Sequence, residues 1–247
     1  MIPAPSRLHA YYSAPLVSFV CEDLSRIIGE LTLRSEFSVD EAQRDAWSSA
    51  ARILQAACDG VSGTVFLEYV VPRIGSRLDA VIISGPAVIA LEFKVGATSY
   101  FRADENQVWD YALDLRNFHL GSRGPEIFPV LVATDAPEVP VEISSAHPDR
   151  VYRPMRTNGQ NLRELLALIL RHGRGPELDA EAWGRAPYRP TPTIIQAAQA
   201  LYANHSVDAI ARHDAGENLA ATSTTVERIV TRARSEKRRA IVFITGV

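Results

Sequence analysis

Apolar positions in this chain change period several times, and each change marks an element. Over residues 14–31 apolar side chains recur three or four apart, which predicts a helix closing near Gly29. Ser38-Val39-Asp40-Glu41 is a helix-opening signature, and the segment it opens runs to about Cys58 with Trp47, Ile53 and Leu54 turned inward. Asp59-Gly60 and Ser62-Gly63 end that pattern. Three runs rich in β-branched and aromatic residues follow, at 64–71, 77–84 and 87–94. Pro72 and Gly75 separate the first pair and Gly85-Pro86 the second, so the short connections predict an antiparallel meander. Helical spacing returns over 104–119, where Val108, Tyr111, Ala112, Leu115 and Phe118 share a face, and His119 at its end reads as a surface charge or one closing the helix rather than a catalyst. The continuous apolar run 128–134 fits a buried strand.

Further on, 151–155 predicts a short strand and 161–172 a strongly apolar helix stopped at Gly173. Residues 173–192 are rich in Gly, Pro, Arg and Trp and read as a linker or extended arm. Helices are expected at about 193–204, 207–211 and 224–235, and a final strand at 240–247.

Composition narrows the class. The chain has 247 residues, 47% of them apolar and 22% charged, enough for a sizeable core. Its net charge of −3 is not that of a dedicated nucleic-acid-binding domain, so any such contact must come from local patches. The basic run Arg228, Arg232, Arg234, Lys237, Arg238 and Arg239 is one such patch, and equally a solvated helix end. No Cys-x-x-Cys occurs, and Cys21 and Cys58 are expected to be buried reduced thiols. No secretory signal is seen and no apolar stretch approaches the ~20 residues of a membrane span, which makes a cytoplasmic protein the default.

The candidate chemistry sits in the meander. In Glu92-Phe93-Lys94, residues two apart on a strand share a face, so the carboxylate and the ammonium lie together while Phe93 enters the core. The four residues before them, Val88-Ile89-Ala90-Leu91, are all apolar, which marks a central strand; charges there are costly unless paired or ion-bound. Asp79 stands on the neighbouring strand, within reach across a tight hairpin. Two adjacent carboxylates can chelate Mg²⁺ or Mn²⁺, and a lysine beside them can orient water or stabilise charge on a phosphate.

Arg77-x-Asp79, Glu92-x-Lys94 and Gln107-x-x-x-Tyr111, in that order, resemble the motifs of the PD-(D/E)xK nucleases, and the last element resembles their recombination-type (RecB-like) branch. That resemblance implies a restriction-endonuclease-like α/β core of helix, three-strand meander, helix and strand, with a mainly helical C-terminal segment added. It implies a Mg²⁺- or Mn²⁺-dependent DNA nuclease in which Asp79 and Glu92 hold metal, Lys94 positions water, and Gln107 and Tyr111 contact substrate. A further acid from the first core helix is implied as a metal ligand; Glu41 is the candidate and Asp45, one turn on, its runner-up. Glu68 is expected to pair with Arg73 or Arg77 or to support the site from behind.

The run Ala240-Ile241-Val242-Phe243-Ile244-Thr245-Gly246-Val247 resembles the strand that enters a phosphate-binding loop. With Trp183 and Tyr188-Arg189-Pro190-Thr191-Pro192-Thr193 it resembles bacterial proteins that join a PD-(D/E)xK-like region to a Schlafen-like or superfamily 1-like helicase ATPase. The implied organisation is a nuclease-like domain over 1–172 and a linker and helical lead-in to a truncated P-loop ATPase over 173–247. Such a fusion suits DNA repair or defence against foreign DNA, with DNA, the parent chain's ATPase, and a second copy or an accessory protein as partners. The rival reading is a nuclease-like module that only binds nucleic acid or a partner and regulates the ATPase; action on RNA is a third.

Overall fold

The computed structural model describes residues 9–35, 38–71, 76–188 and 218–236. Two compact units divide between Tyr188 and Arg189. The first holds one mixed six-stranded sheet in the order β1-β2-β3-β4-β5-β6. These strands are β1 (Ala10–Pro15), β2 (Thr64–Val71), β3 (Ser76–Ser84), β4 (Ala87–Lys94), β5 (Glu126–Ala133) and β6 (Met155–Thr157). β1 to β4 pair antiparallel, whereas β4–β5 and β5–β6 are parallel.

Helices cover both faces, as a parallel pair inside a sheet requires. One core joins β-strand side chains to α1 (Leu16–Phe19), α2 (Leu24–Arg34), α3 (Glu41–Cys58) and α5 (Leu162–His172). The other joins them to α4 (Arg102–Phe118) and α6 (Ala180–Gly184). α3 starts where its sequence marks it, with the Asp40 carboxylate accepting from the Gln43 amide at 2.8 Å. Trp47, Ala51, Leu54 and Cys58 then fall on its buried face. Gly85, with φ of 52°, opens the two-residue turn between Ser84 and Ala87 that makes β3 and β4 a hairpin. The expected order of helix, meander, helix and strand is thus present from Glu41 to Ala133.

Four expectations are corrected. The helix expected over 14–31 begins as a strand: β1 adds to the free edge of β2, and only Leu16–Phe19 and Leu24–Arg34 are helical. Asp23 starts the second of these by accepting from the Ser25 amide. Residues 173–188 are not a linker. Trp183, 3% exposed, packs against Phe66, Tyr69 and His119, and the Pro187 carbonyl accepts from the Leu120 amide, so the first unit extends past residue 172. His119, read from sequence as a charge closing a helix, is buried, with Nδ1 2.8 Å from the Ser122 hydroxyl. Both cysteines are free, but Cys21 is exposed; Cys58 is buried, and burial pushes its thiol up to about 12. In the second unit α7 (Asn218–Ser235) is helical, with Arg228, Arg232 and Arg234 exposed. The expected helices at 193–204 and 207–211 and the strand at 240–247 lie outside the described residues. Among the described residues no helix is long and apolar enough to cross a membrane.

Burial, followed by the charge of His9, lowers the His119 ring from 6.5 to about 4. Below its ordinary value the unfolded chain takes up a proton that the folded chain refuses. Stability is therefore complete above the ordinary value and lost as pH falls toward the folded one. Urea titrations at pH 7 and pH 5 should show wild type losing ~2 kcal/mol more than His119→Gln over that interval. Equal losses would contradict a buried neutral ring.

Candidate functional site

The site begins with an irregularity in the sheet. Leu67 faces the first core and Tyr69 the second, although residues two apart in a strand normally share a face. Across the ladder Ala80 and Leu78 make the same switch. The register on either side is unbroken, with Leu67 opposite Ala80 and Tyr69 opposite Leu78. Between them Glu68 holds a left-handed backbone, φ 51°, which is costly for a residue with a long side chain. The switch carries Glu68 and the facing Asp79 into one cavity beneath α3.

Contacts on the Glu68 carboxylate hold this geometry. It accepts from the Trp47 indole at 2.6 Å and from Arg77 Nε at 2.5 Å. Arg77 also donates to the Tyr11 hydroxyl and lies 5.0 Å over the Tyr11 ring. Of the two arginines expected to pair with Glu68, Arg77 is the one found; Arg73 lies outside the described residues.

Asp79 ends the β3–β4 ladder. Backbone pairing stops at Ala80 opposite Leu91, and the Asp79 carboxylate accepts the next β4 amide, that of Phe93, at 2.6 Å. β4 continues to Lys94 in full register with β5, so a mouth opens between β3 and the end of β4. β4 keeps its alternation: Phe93 joins the first core, while Glu92 and Lys94 take the α4 side. There Lys94 Nζ donates to Glu92 Oε1 at 3.0 Å and Gln107 Oε1 at 2.8 Å, with Asp104 Oδ1 at 3.9 Å. Gln107 Nε2 donates to the Tyr111 hydroxyl at 3.2 Å. An ammonium offers only donors, which forces the amide oxygen toward Lys94 and its nitrogen toward the tyrosine.

The structure therefore gathers Asp79, Glu92 and Lys94 in one cavity of about 580 Å³ and connects Gln107 and Tyr111 behind Lys94. Tyr111 is 5% exposed and does not line the cavity; its hydroxyl orients Gln107, which orients Lys94. Glu41 is not brought in. It is exposed in the first turn of α3, as is Asp45 one turn later, and α3 lines the cavity with Gln43, Ala46, Trp47 and Ala50 instead. Two acids that the sequence reading left out of the assigned set, Glu68 and Asp104, do line it. Asp104 stands three residues before Gln107, a spacing that shares a helix face and was a usable signal. Nothing local in the sequence announces the left-handed backbone of Glu68.

The electrostatics follow from burial. Desolvation, then the charge of Glu92, holds the Asp79 carboxyl well above the usual carboxylate range. Desolvation also raises Glu92, against the opposing pull of Lys94. For Lys94 burial pulls downward, but the charge and hydrogen bond of Glu92, with Asp104 and Asp79, more than offset it. The lysine is therefore a firm cation at neutral pH, suited to holding charge rather than accepting a proton.

Glu92 is 4% exposed, and its Oε2 is buried without a hydrogen-bond partner. An orphaned carboxylate oxygen beside a second raised carboxyl fits a divalent cation with hard oxygen ligands. Among the described residues no group of three or more His, Cys, Asp or Glu side chains is arranged to hold a metal ion. Two carboxylates with water and phosphate completing the shell is the arrangement Mg²⁺ favours. Comparison with protein-family models, curated proteins and solved structures finds no match.

A carboxyl raised by folding favours the fold below the ordinary carboxylate range, and that contribution disappears as pH rises through the raised value. At neutral pH without metal, Asp79→Asn should therefore melt at a higher temperature than wild type, since the amide keeps an acceptor for the Phe93 amide without the buried charge. A lower melting temperature would show that Asp79 stabilises the fold rather than serving a ligand.

Proposed function

We propose that this chain is a divalent-metal-dependent DNA nuclease with a restriction-endonuclease-like core, Asp79 and Glu92 holding Mg²⁺ or Mn²⁺. The observation that carries this reading is the carboxyl pair on adjacent strands, half-buried Asp79 and buried Glu92, with Glu92 Oε2 unpartnered and the Lys94 ammonium fixed 3.0 Å from the same carboxylate. When bound, the cation supplies an activated water and a counter-charge for phosphoryl oxygens. Asp79, fixed by the Phe93 amide, and Glu92, fixed by Lys94, would hold that cation from adjacent strands. Lys94, held by Glu92 and Gln107, keeps its positive charge at the cavity wall, where it stabilises charge developing on the phosphate and donates to an attacking or leaving oxygen. Tyr111 and Gln107 limit the rotamers of Lys94, so the ammonium is placed before substrate arrives. Trp47 and Arg77 do the same for Glu68, whose charge keeps the electron-rich end of the cavity attractive to a cation. A helicase-type ATPase downstream, in a repair or defence protein, remains part of the proposal through the sequence resemblance alone.

The test is cleavage of linear, circular and single-stranded DNA with Mn²⁺ by wild type, Asp79→Asn and Lys94→Ala. Wild type should cleave at least one substrate, and each substitution should slow it by about a hundredfold or more. Equal cleavage by all three, or none by wild type, would refute the assignment.

A further inference from the structure

The same cavity has apolar lining that the proposed chemistry does not use. Ala46 and Ala50 of α3, Leu67, Val95 and Phe101 all line it. Phe101 is anomalous where it stands. It is the N-cap residue of α4, yet its side chain makes no capping hydrogen bond. A Ser, Thr, Asp or Asn there would satisfy an amide and favour the helix. Instead a phenyl ring stands 57% exposed at the cavity, and Val95, 43% exposed, also lines it. Two large exposed apolar side chains flanking a polar site mark a surface made for a ligand.

Charge says what kind of nucleic acid fits. Among the described lining residues Lys94 is the one cation, against Glu68, Asp79, Glu92 and Asp104. Duplex DNA presents a phosphate charge every ~1.7 Å along its axis and needs flanking cations to hold it. This wall supplies none, and one cavity of about 580 Å³ is on the scale of small-molecule pockets rather than of a duplex. An unpaired nucleotide offers the matching surface, an apolar π-face next to a single phosphate. Any base can stack on an aromatic ring, and that contact needs no sequence readout. The ring and the carboxylates share one cavity, so a base seated there leaves its adjoining phosphate near the carboxylates.

Resting on the nuclease reading, we infer that the apolar lining of the cavity takes the unstacked base of a single-stranded DNA end or flap, with Phe101 and Val95 as its apolar contacts and the neighbouring phosphate directed to Asp79, Glu92 and Lys94. Phe101 touches the base and sets strandedness; it does not take part in bond cleavage.

The experiment measures binding and cleavage separately. Fluorescence anisotropy with labelled oligothymidylate and with a blunt hairpin duplex, in Ca²⁺, is recorded for wild type, Phe101→Ala and Phe101→Trp; cleavage of both is followed in Mn²⁺. Oligothymidylate should bind more tightly than the hairpin, Phe101→Ala should weaken it roughly tenfold, and Phe101→Trp should retain it. In Mn²⁺ the alanine variant should raise KM with little change in kcat. Equal affinity for the two DNAs, no oligothymidylate binding by wild type, or unaltered binding by Phe101→Ala would overturn the inference. Cleavage that is indifferent to Phe101 removes the base pocket and leaves the nuclease reading intact. Phe101-dependent binding without cleavage removes the nuclease reading and supports the base pocket.

Discussion

Bringing two carboxylates from adjacent strands together where burial strips them of water opposes folding. Asp79 and Glu92 are taken out of water, repel one another, and feel the charge of Glu68 as well. Protein groups relieve this only in part: the Phe93 amide donates to Asp79, and Lys94 donates to one oxygen of Glu92. The other Glu92 oxygen has no partner. In the proposed function a bound cation would offset that repulsion, and the surrounding fold holds the two acids in place without it.

The sheet does this through pairing that surrounds the irregularity. β4 is central, bonded to β3 up to Leu91 and to β5 over its whole length. Its apolar run Val88–Leu91 is buried between two cores, and no shift of register is available without moving charges into them. The left-handed turn at Glu68 and the early end of the β3–β4 ladder at Asp79 bring the side chains of adjacent strands to one mouth. Arg77 and Trp47 hold Glu68 there, and Tyr11 holds Arg77. α4 arrives from the other face with Gln107 and Tyr111 in line behind Lys94. Elsewhere polar groups are buried for structural ends: Arg116 gathers the carbonyls of Ser122, Arg123, Pro125 and Arg150, fixing the chain between α4 and β5.

Much of this was legible where local pattern decides structure. The helix from Glu41, the meander, the helix bearing Gln107 and the strand after it follow from hydrophobic period, caps and turns, and Asp79, Glu92 and Lys94 converge as strand spacing requires. The illegible parts depend on distant partners. β1 is a strand because β2 offers it an unpaired edge, and nothing within residues 10–15 states that. Trp183 is buried, and Tyr188 partly buried, against a surface contributed by β2 and α4, so a Pro- and Gly-rich stretch that reads as a linker or extended arm packs on the core. Glu41 carries the signs of a site acid but turns away from the cavity, because the face of α3 that packs on the sheet is set by Trp47, Ala51 and Leu54. Tyr111 keeps its place in the motif, yet its contact is with Gln107.

The most direct measurement is a calorimetric titration of the metal-free protein with Mn²⁺, repeated on Glu92→Gln and on Asp79→Asn. Saturable binding by wild type, lost or weakened by at least about tenfold in each variant, is the expected result. Binding by both variants with the affinity of wild type, or no binding by wild type, would contradict the assignment of these two carboxylates as a metal site.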